Sequence, residues 1–585
     1  MDFWQSASYR TGARPWRLSR RRLLSVIAAG GASAYLAACS SNNKPAASGA
    51  ATQAAGAGTA APGGTRAASA GAASPSASTQ TAAQAHGGSI KLAYHNEPQY
   101  LSVRGSLSGY DPNFLMVNGD SLIYVKPDGT VDPANSLVSK YEFADPTTLV
   151  LSLRPNVQFH DGTNFDSAAV KGDFQFLTDK TKAKSFGYAT ILDPVAGIDT
   201  PDATTVKLTL KTPSPALVGG LGVQPGIPFS LTQVQKLGDD ELLKPAGTGP
   251  YKVDSYTSGT GWSYVKNPSF WGPKDGTPFL DRIDFKVITD VNARAAALQN
   301  GDVDVAWFDD SYDATLTLSK DKTIAQAKFF AGPSVLSLNH SKPPLDNLKV
   351  RQALASAIDK AKVLQVINNG QGAVAAGGLL PPGTFGAIPY APYPFDLTKA
   401  KQYLQASGVP TPVKLSLIFG GNGSDSSNPG ALTAQIYQQT LNSVGFDVSL
   451  QNTPGNDQFN VMFQQGGAHL LIFSTGARPD PDGEFSLWVN QDSFYNAGRV
   501  SQDPAQLQIN DLVLKARQEF DQNTRQQEYQ QITKVMLDNV LVGIPIVDRV
   551  RWMFSRGKVV GTTFPGFVNT PAGASFRARM LSLGS

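Results

Sequence analysis

The stretch from Leu470 to Glu484, L-L-I-F-S-T-G-A-R-P-D-P-D-G-E, gathers the residue types best suited to chemistry in this chain. Its apolar start predicts a strand that delivers a polar, proline-stiffened loop to its carboxyl end, where α/β lobes place binding groups. Arg478 in that loop suits a carboxylate or another anion, which a guanidinium holds through two parallel charge-assisted bonds. Asp480, Asp482 and Ser474 would position the same molecule. A second reading pairs Arg478 internally with Asp480 or Asp482. Asp480 and Asp482 could also serve hydrolysis if an acid faced them across a cleft. Calcium is not expected, because D-P-D-G-E lacks the third spaced oxygen ligand and the distal glutamate of an EF-hand.

The remaining candidates are weaker. The five histidines, His86, His95, His160, His340 and His469, show no metal-ligand spacing, and neither a G-x-S-x-G elbow nor an H-E-x-x-H helix occurs. His160 adjoins Asp161, but neighbours in a strand point to opposite faces and no activated nucleophile lies nearby. Gly247-Thr248-Gly249-Pro250 lacks the Lys-Ser/Thr ending of a phosphate loop, so its glycines and proline read as a corner. Trp271 reads as core. An apolar strand at Ile90 to Tyr94 leads into His95-Asn96-Glu97-Pro98, and loops after a first strand often line clefts. Tyr94, Asn96 and Glu97 are therefore candidates for a wall facing Arg478.

Cys39 is the only cysteine, which excludes disulfides and thiolate metal clusters. It follows six arginines and an apolar run from Leu23 to Leu36, the arrangement of an export signal, and that run is shorter than the roughly 20 residues of a membrane span. Ser19 to Leu24 resembles a twin-arginine motif, and Leu36-Ala37-Ala38-Cys39 a bacterial lipobox, so Cys39 is expected to carry lipid. From Ser40 to about Gly87 the chain is Ala, Gly, Ser, Thr and Pro with only Lys44 and Arg66 charged, a tether that cannot bury enough to fold. Such a tether reaches roughly 35 to 40 Å. The formal charge of +4 less the +5 of residues 1–38 leaves about −1, and no basic patch with interleaved aromatics supports nucleic-acid binding. About 500 residues remain, enough for two or three domains with proper cores.

The elements that must position these residues follow from periodicity. Leu149, Leu151 and Leu153, and then Val206, Leu208 and Leu210, alternate as half-buried strands of a small α+β lobe. Ile283, Phe285 and Val287 form another strand. Asp166, Asn292 and Asp396 are expected N-caps, with Gly301, Gly408 and Gly445 ending helices, and Thr524 with Gln527 reads as a capping box. Val335 and Leu338 belong to a short strand, Pro343-Pro344 makes a corner, and Asp346 caps a helix whose buried face is Val350, Leu354, Ala357 and Ile358. Arg351, Gln352 and Lys360 are expected on its outer face.

R-P-N-V-Q-F-H-D-G-T (Arg154–Thr163), G-T-G-P-Y-K (Gly247–Lys252), N-P-S-F-W-G (Asn267–Gly272), N-A-R-A-A-A-L-Q-N-G-D-V-D (Asn292–Asp304) and L-N-H-S-K-P-P-L-D-N-L-K-V-R-Q-A-L-A-S-A-I-D-K (Leu338–Lys360) together resemble the family 5 extracellular solute-binding proteins of ABC importers. The resemblance runs from about Gly88 to the C-terminus. It implies a two-lobed α/β periplasmic-binding-protein-like fold (type II, cluster C) with an extra α+β subdomain inserted in the first lobe. Residues 88–110, 236–338 and 546–585 would form lobe I, 111–235 the insert and 339–545 lobe II, after a signal at 1–38 and a tether at 39–87. The implied protein is a monomeric receptor on the outer face of the cytoplasmic membrane, held by lipid on Cys39. It captures a small molecule or short peptide between its lobes and delivers it to ABC permease subunits, with no cofactor and no catalysis. Peptide-binding relatives usually carry an aspartate for the ligand's α-amine where Ala477 stands here, followed by Arg478, which favours a peptide-like, anionic solute over a simple dipeptide. A secreted hydrolase or a non-transporting sensor are the alternatives.

Overall fold

Two long antiparallel strands, Ile324–Leu338 and Gly543–Arg556, run through the middle of the protein and belong to both of its lobes. The computed structural model describes residues 84–584 except 99, 106–111, 127–128, 180–188, 273–276, 309–311, 422–428, 455–460, 463–465, 477, 479, 492, 494, 499–500, 558 and 561–580. The expected export signal, Cys39 and all but the end of the expected tether lie outside the described residues.

The described chain begins with β1 (Gln84–Ala85) and β2 (Ser89–Tyr94). An inserted sheet follows, ordered β3-β4-β6-β5, from β3 (Val138–Asp145), β4 (Thr148–Leu153), β5 (Val195–Asp202) and β6 (Thr205–Leu210). Leu149, Leu151, Leu153, Val206, Leu208 and Leu210 all enter its core, as their alternation requires, beside Phe159, Phe174 and Leu217. The chain returns through β7 (Tyr251–Thr257), β8 (Gly261–Lys266), β9 (Arg282–Val287) and β10 (Val305–Phe308) to β11 (Ile324–Leu338). The short β12 (Ala373–Val374) precedes β13 (Val413–Gly421), β14 (Phe446–Pro454), β15 (Leu470–Ser474) and β16 (Gly543–Arg556), and β17 (Val559–Val560) and β18 (Ser582–Gly584) close the chain.

One continuous sheet results, ordered β14-β13-β15-β11-β16-β10-β2-β9-β8-β7. Toward one end β16 pairs with β10 from Trp552 to Ser555, and toward the other β11 pairs with β15 from Ser334 to Leu338. Between them the β11–β16 register shifts at Phe330 and Pro333, the position a proline takes in a sheet because it cannot donate to the ladder. β11 is 15 residues long where a short strand was expected, and it pairs with β16 along most of its length.

Each half of the sheet is covered on both faces. In the first lobe Ile90, Leu92, Val305 and Trp307 fill one side while Ala93, Ala306, Phe308 and Phe554 fill the other. In the second lobe Leu336, Leu338, Leu415 and Leu470 meet the helices Leu348–Ala357 and Pro429–Val444, and Val335, Ile418, Leu471 and Phe473 meet Phe485, Ile509 and Tyr529. Such double burial explains the near-continuous apolar runs of β10 and β15.

Several helix ends differ from expectation by one to three residues. Asp166 and Asp396 do cap, each accepting the backbone N–H three residues on. Asn347 rather than Asp346 caps Leu348–Ala357, Asp290 rather than Asn292 caps Val291–Asn300, and Asp521 caps Gln522–Asp538 by accepting from Thr524 N. Thr524 is therefore the third residue of its helix, and its hydroxyl donates to Asp521 at 2.8 Å. Arg351 also departs from expectation: its side chain is 1% exposed, and its guanidinium donates to the carbonyls of Asn539 and Leu345 and to Asp503. A buried guanidinium needs that many acceptors.

The described residues begin inside the stretch expected as tether. Gln84 and Ala85 pair with Gly584 and Leu583, and Leu583 packs against the first lobe's core.

Candidate functional site

The candidate site is marked by strand ends. β2 runs parallel to β9 and β10, and β13 runs parallel to β14 and β15, so Tyr94 and Ser474 stand at the carboxyl ends of parallel strands in the first and second lobes. Ligand groups collect at such ends. The hinge backs this region: Thr475 N donates to Pro333 O at 3.0 Å, and Arg549 Nη2 donates to Thr475 O at 3.3 Å. Gly332, at φ +50°, lies so close that a Cβ would stand 2.5 Å from Thr475 O.

After Ser474 the loop enters the helix Pro481–Trp488. Asp480 is its N-cap, accepting from Asp482 N at 2.9 Å, and Pro481 takes the first helical position, which needs no backbone donor. The Asp480 carboxylate also takes both prongs of Arg525, Oδ2 2.8 Å from Nη1 and Oδ1 2.6 Å from Nη2. Burial is the largest influence on Arg525 and works to lower its pKa, yet the Asp480 charge and hydrogen bond, with Tyr529 and Asp482, together outweigh it and the net shift is upward. Tyr529, raised by burial and then by Asp480, completes the group with its hydroxyl 2.7 Å from Arg525 Nη2. Asp482 receives Arg517 Nε at 3.1 Å.

Arg478 pairs with neither aspartate. Its Nη1 donates to Glu484 Oε1 at 2.9 Å, and Glu484 is fully buried, its pKa raised by burial against the opposing pull of Arg478. Gly483 makes room for this: a Cβ there would lie 2.6 Å from Arg478 Cδ.

In the first lobe, Tyr94 is 1% exposed and meets Trp307 edge-on at 5.7 Å, so its ring belongs to that lobe's core and not to a solvent wall. Glu97 accepts from Ser258 Oγ at 2.8 Å and Gly259 N at 2.6 Å, which fastens the loop after β2 to the β7–β8 turn. Asn96 and Ser474 are exposed. Among the expected site residues, then, Arg478, Asp480 and Asp482 share one loop with charge partners inside the second lobe, and Asn96 and Ser474 present accessible polar groups.

Other candidates are structural. His160 Nε2 lies 2.9 Å from Gly249 O, and Gly249 packs so tightly on Asn118 that a Cβ would be 2.5 Å from its carbonyl carbon. Asp161 accepts from Thr163 and Ser230. Trp271 is half-buried, and its indole donates to Asp120 Oδ2 at 2.8 Å. A surface depression lined by Lys360, Ala375, Tyr390, Tyr393, Leu537 and Pro545 draws only on the second lobe and includes none of the expected site residues.

The sequence profile of bacterial extracellular solute-binding proteins, family 5 (middle region), matches residues 132–496. The chain belongs to this family. It is 33% identical over 316 residues to the glutathione-binding protein GsiB of Shigella flexneri, a match covering 53% of this chain and 59% of that one. The chain thus spans little more than half the length of this curated relative. Among solved structures, the ABC transporter-associated periplasmic binding protein DppA of Helicobacter pylori, in complex with peptide STSA, superposes with a TM-score of 0.72 at 22% identity, over 86% of this chain and 99% of that one. NikA of Brucella suis, in complex with Fe(III)-EDTA, gives 0.72 at 23% identity, over 85% and 100%. These likenesses establish the two-lobed type II solute-binding fold for this family 5 member.

Arg525 was not among the residues the sequence singled out. Arg525 sits four residues before Tyr529 on a helix face that also carries Ile532, a spacing that marks it as inward-facing.

Proposed function

We propose that this family 5 protein is a lipid-anchored receptor that captures a small peptide or peptide-like solute between its lobes and hands it to the permease subunits of an ABC importer. The observation that carries this reading is the β11–β16 pair, a two-strand connection with a register shift at the point where its neighbours change from one lobe to the other. Hinges of this kind let an open form and a closed form interconvert, and a ligand that touches both lobes stabilises the closed one. The receptor acts as a monomer on the outer face of the cytoplasmic membrane, with Cys39 as the lipid-bearing residue, and performs no catalysis.

The solute is anionic at one end, where Arg478 serves it, while Ser474 and Asn96 supply polar contacts from the two sides. Asp480 and Asp482 hold the loop in place, Tyr94 and Glu97 hold the opposite wall, and the solute displaces part of the Arg478–Glu484 contact. GsiB is named for glutathione, an anionic peptide, which makes glutathione the first probe. The hydrolase alternative draws no support from Asp480 and Asp482, because each carboxylate is engaged by a guanidinium of its own lobe.

Thermal-shift measurements on the purified protein with glutathione, other short peptides, sugars and metal chelates test the reading. A raised Tm with one class, accompanied by a smaller radius of gyration in solution scattering, is expected. No shift and no compaction across the whole panel would refute it.

A further inference from the structure

The insert travels with the first lobe. Gly247 and Gly249 press on Asn118 O and C, and Trp271 bonds Asp120. Yet the insert also reaches the second lobe. Its short helix Ala216–Gly220 meets the N-cap of Pro481–Trp488: a Cβ on Gly219 would stand 2.7 Å from Asp480 Cβ and 3.0 Å from its Oδ2. Nearby on the insert, Phe143 of β3 meets Phe520 of the second lobe edge-on, with ring centres 4.9 Å apart. Gly129 also faces Phe385, whose Cβ a side chain at that position would touch at 3.7 Å.

Asp480 cannot retreat from Gly219. Both carboxylate oxygens are held by Arg525, one also caps the helix, and Arg525 is itself buried and tied to Ala516 O at 3.1 Å. A side chain at Gly219 therefore has no flexible neighbour to push aside, and the contact is relieved only by moving the insert away from the second lobe.

We infer that Gly219 and Asp480 form the stop against which the insert comes to rest when the lobes close, and that this contact, with Phe143 against Phe520, governs how much of the protein is closed. The inference rests on the reading of the chain as a receptor that closes. It gives the insert a role in solute retention, and it makes Asp480, through Arg525, a positioning residue for the closed form.

The test is the separation between insert and second lobe in ligand-free full chain. Cys39→Ser leaves no native thiol, so spin labels placed by Lys207→Cys and Gln531→Cys report one distance. Both positions are exposed. The parent protein is expected to show a short-distance population. Gly219→Leu is expected to lower the ratio of closed to open by about tenfold, the scale of a modest packing clash. Phe520→Ala, at a position already 44% exposed, is expected to shift the ratio the same way by less, and it decides the matter if Gly219→Leu fails to fold. Absence of the short population in the parent, or identical distance distributions in parent and variants, would overturn the inference. Failure of the receptor reading is seen separately, as the absence of any thermal shift with glutathione and the other probes.

Discussion

Asp480 and Arg525 meet in a two-pronged ion pair across 45 residues of sequence, and the pair is shielded from solvent on both sides. Removing one member leaves the other charge desolvated and unpaired. Arg525→Met is expected to cost about 3 kcal/mol of stability, measured by urea unfolding, and Arg525→Lys to recover only part of it, because an ammonium cannot bridge both oxygens.

Acid should weaken the fold through two histidines. Burial pushes the pKa of both His160 and His340 down to about 4. Between that value and the ordinary 6.5 the unfolded chain binds protons that the folded chain does not. Their contribution is therefore complete above pH 6.5 and is lost as pH falls toward 4. The urea midpoint is expected to fall over this window, and His340→Gln to flatten the fall. An unchanged pH profile in that variant would remove His340 as a cause.

Asp548 behaves in the opposite sense. It lies buried in β16 beside Pro333 of β11, neither oxygen meets a hydrogen-bond donor among the described residues, and burial pushes its pKa up to about 7 against the opposing charge of Lys360. The folded chain then holds a proton that the unfolded chain has released, so stability declines as pH rises from the usual carboxylate range through 7. Asp548→Asn is expected to stabilise the protein more at pH 8 than at pH 5, by about 2 kcal/mol, with differential scanning calorimetry at the two pH values as the check.

Lipid on Cys39 is testable by fractionation. Cys39→Ser is expected to shift the protein from the membrane fraction to the soluble extracytoplasmic fraction, with loss of fatty-acid labelling. A Cys39→Ser chain that stays labelled and membrane-bound would refute lipidation at this residue.

What the sequence made legible follows the range of the interactions concerned. Alternation at Leu149–Leu153 and Val206–Leu210, and caps at Asp166 and Asp396, depend on neighbours in the chain and stand where periodicity puts them. The length of β11 was hidden by Gly332 and Pro333, residues that read as a break but occupy a register shift inside a continuous strand. In the candidate loop the residue types were visible and their partners were not. Glu484 lay close at hand but behind two nearer aspartates, and Arg517 and Arg525 come from helices that only the tertiary fold brings alongside. Tyr94 looked like a cleft aromatic because its strand end was clear, whereas the Trp307 that claims its ring belongs to a neighbouring strand.

The pairing of Gln84 and Ala85 with Leu583 and Gly584 ties both extremities of the described chain to the same lobe. A leash running from a membrane-held Cys39 would pull on that lobe alone. The first lobe with its insert would then be the fixed jaw and the second lobe the free one. Were Arg478 the anion contact proposed above, the lobe that grips the solute would also be the one left at liberty to swing toward a permease.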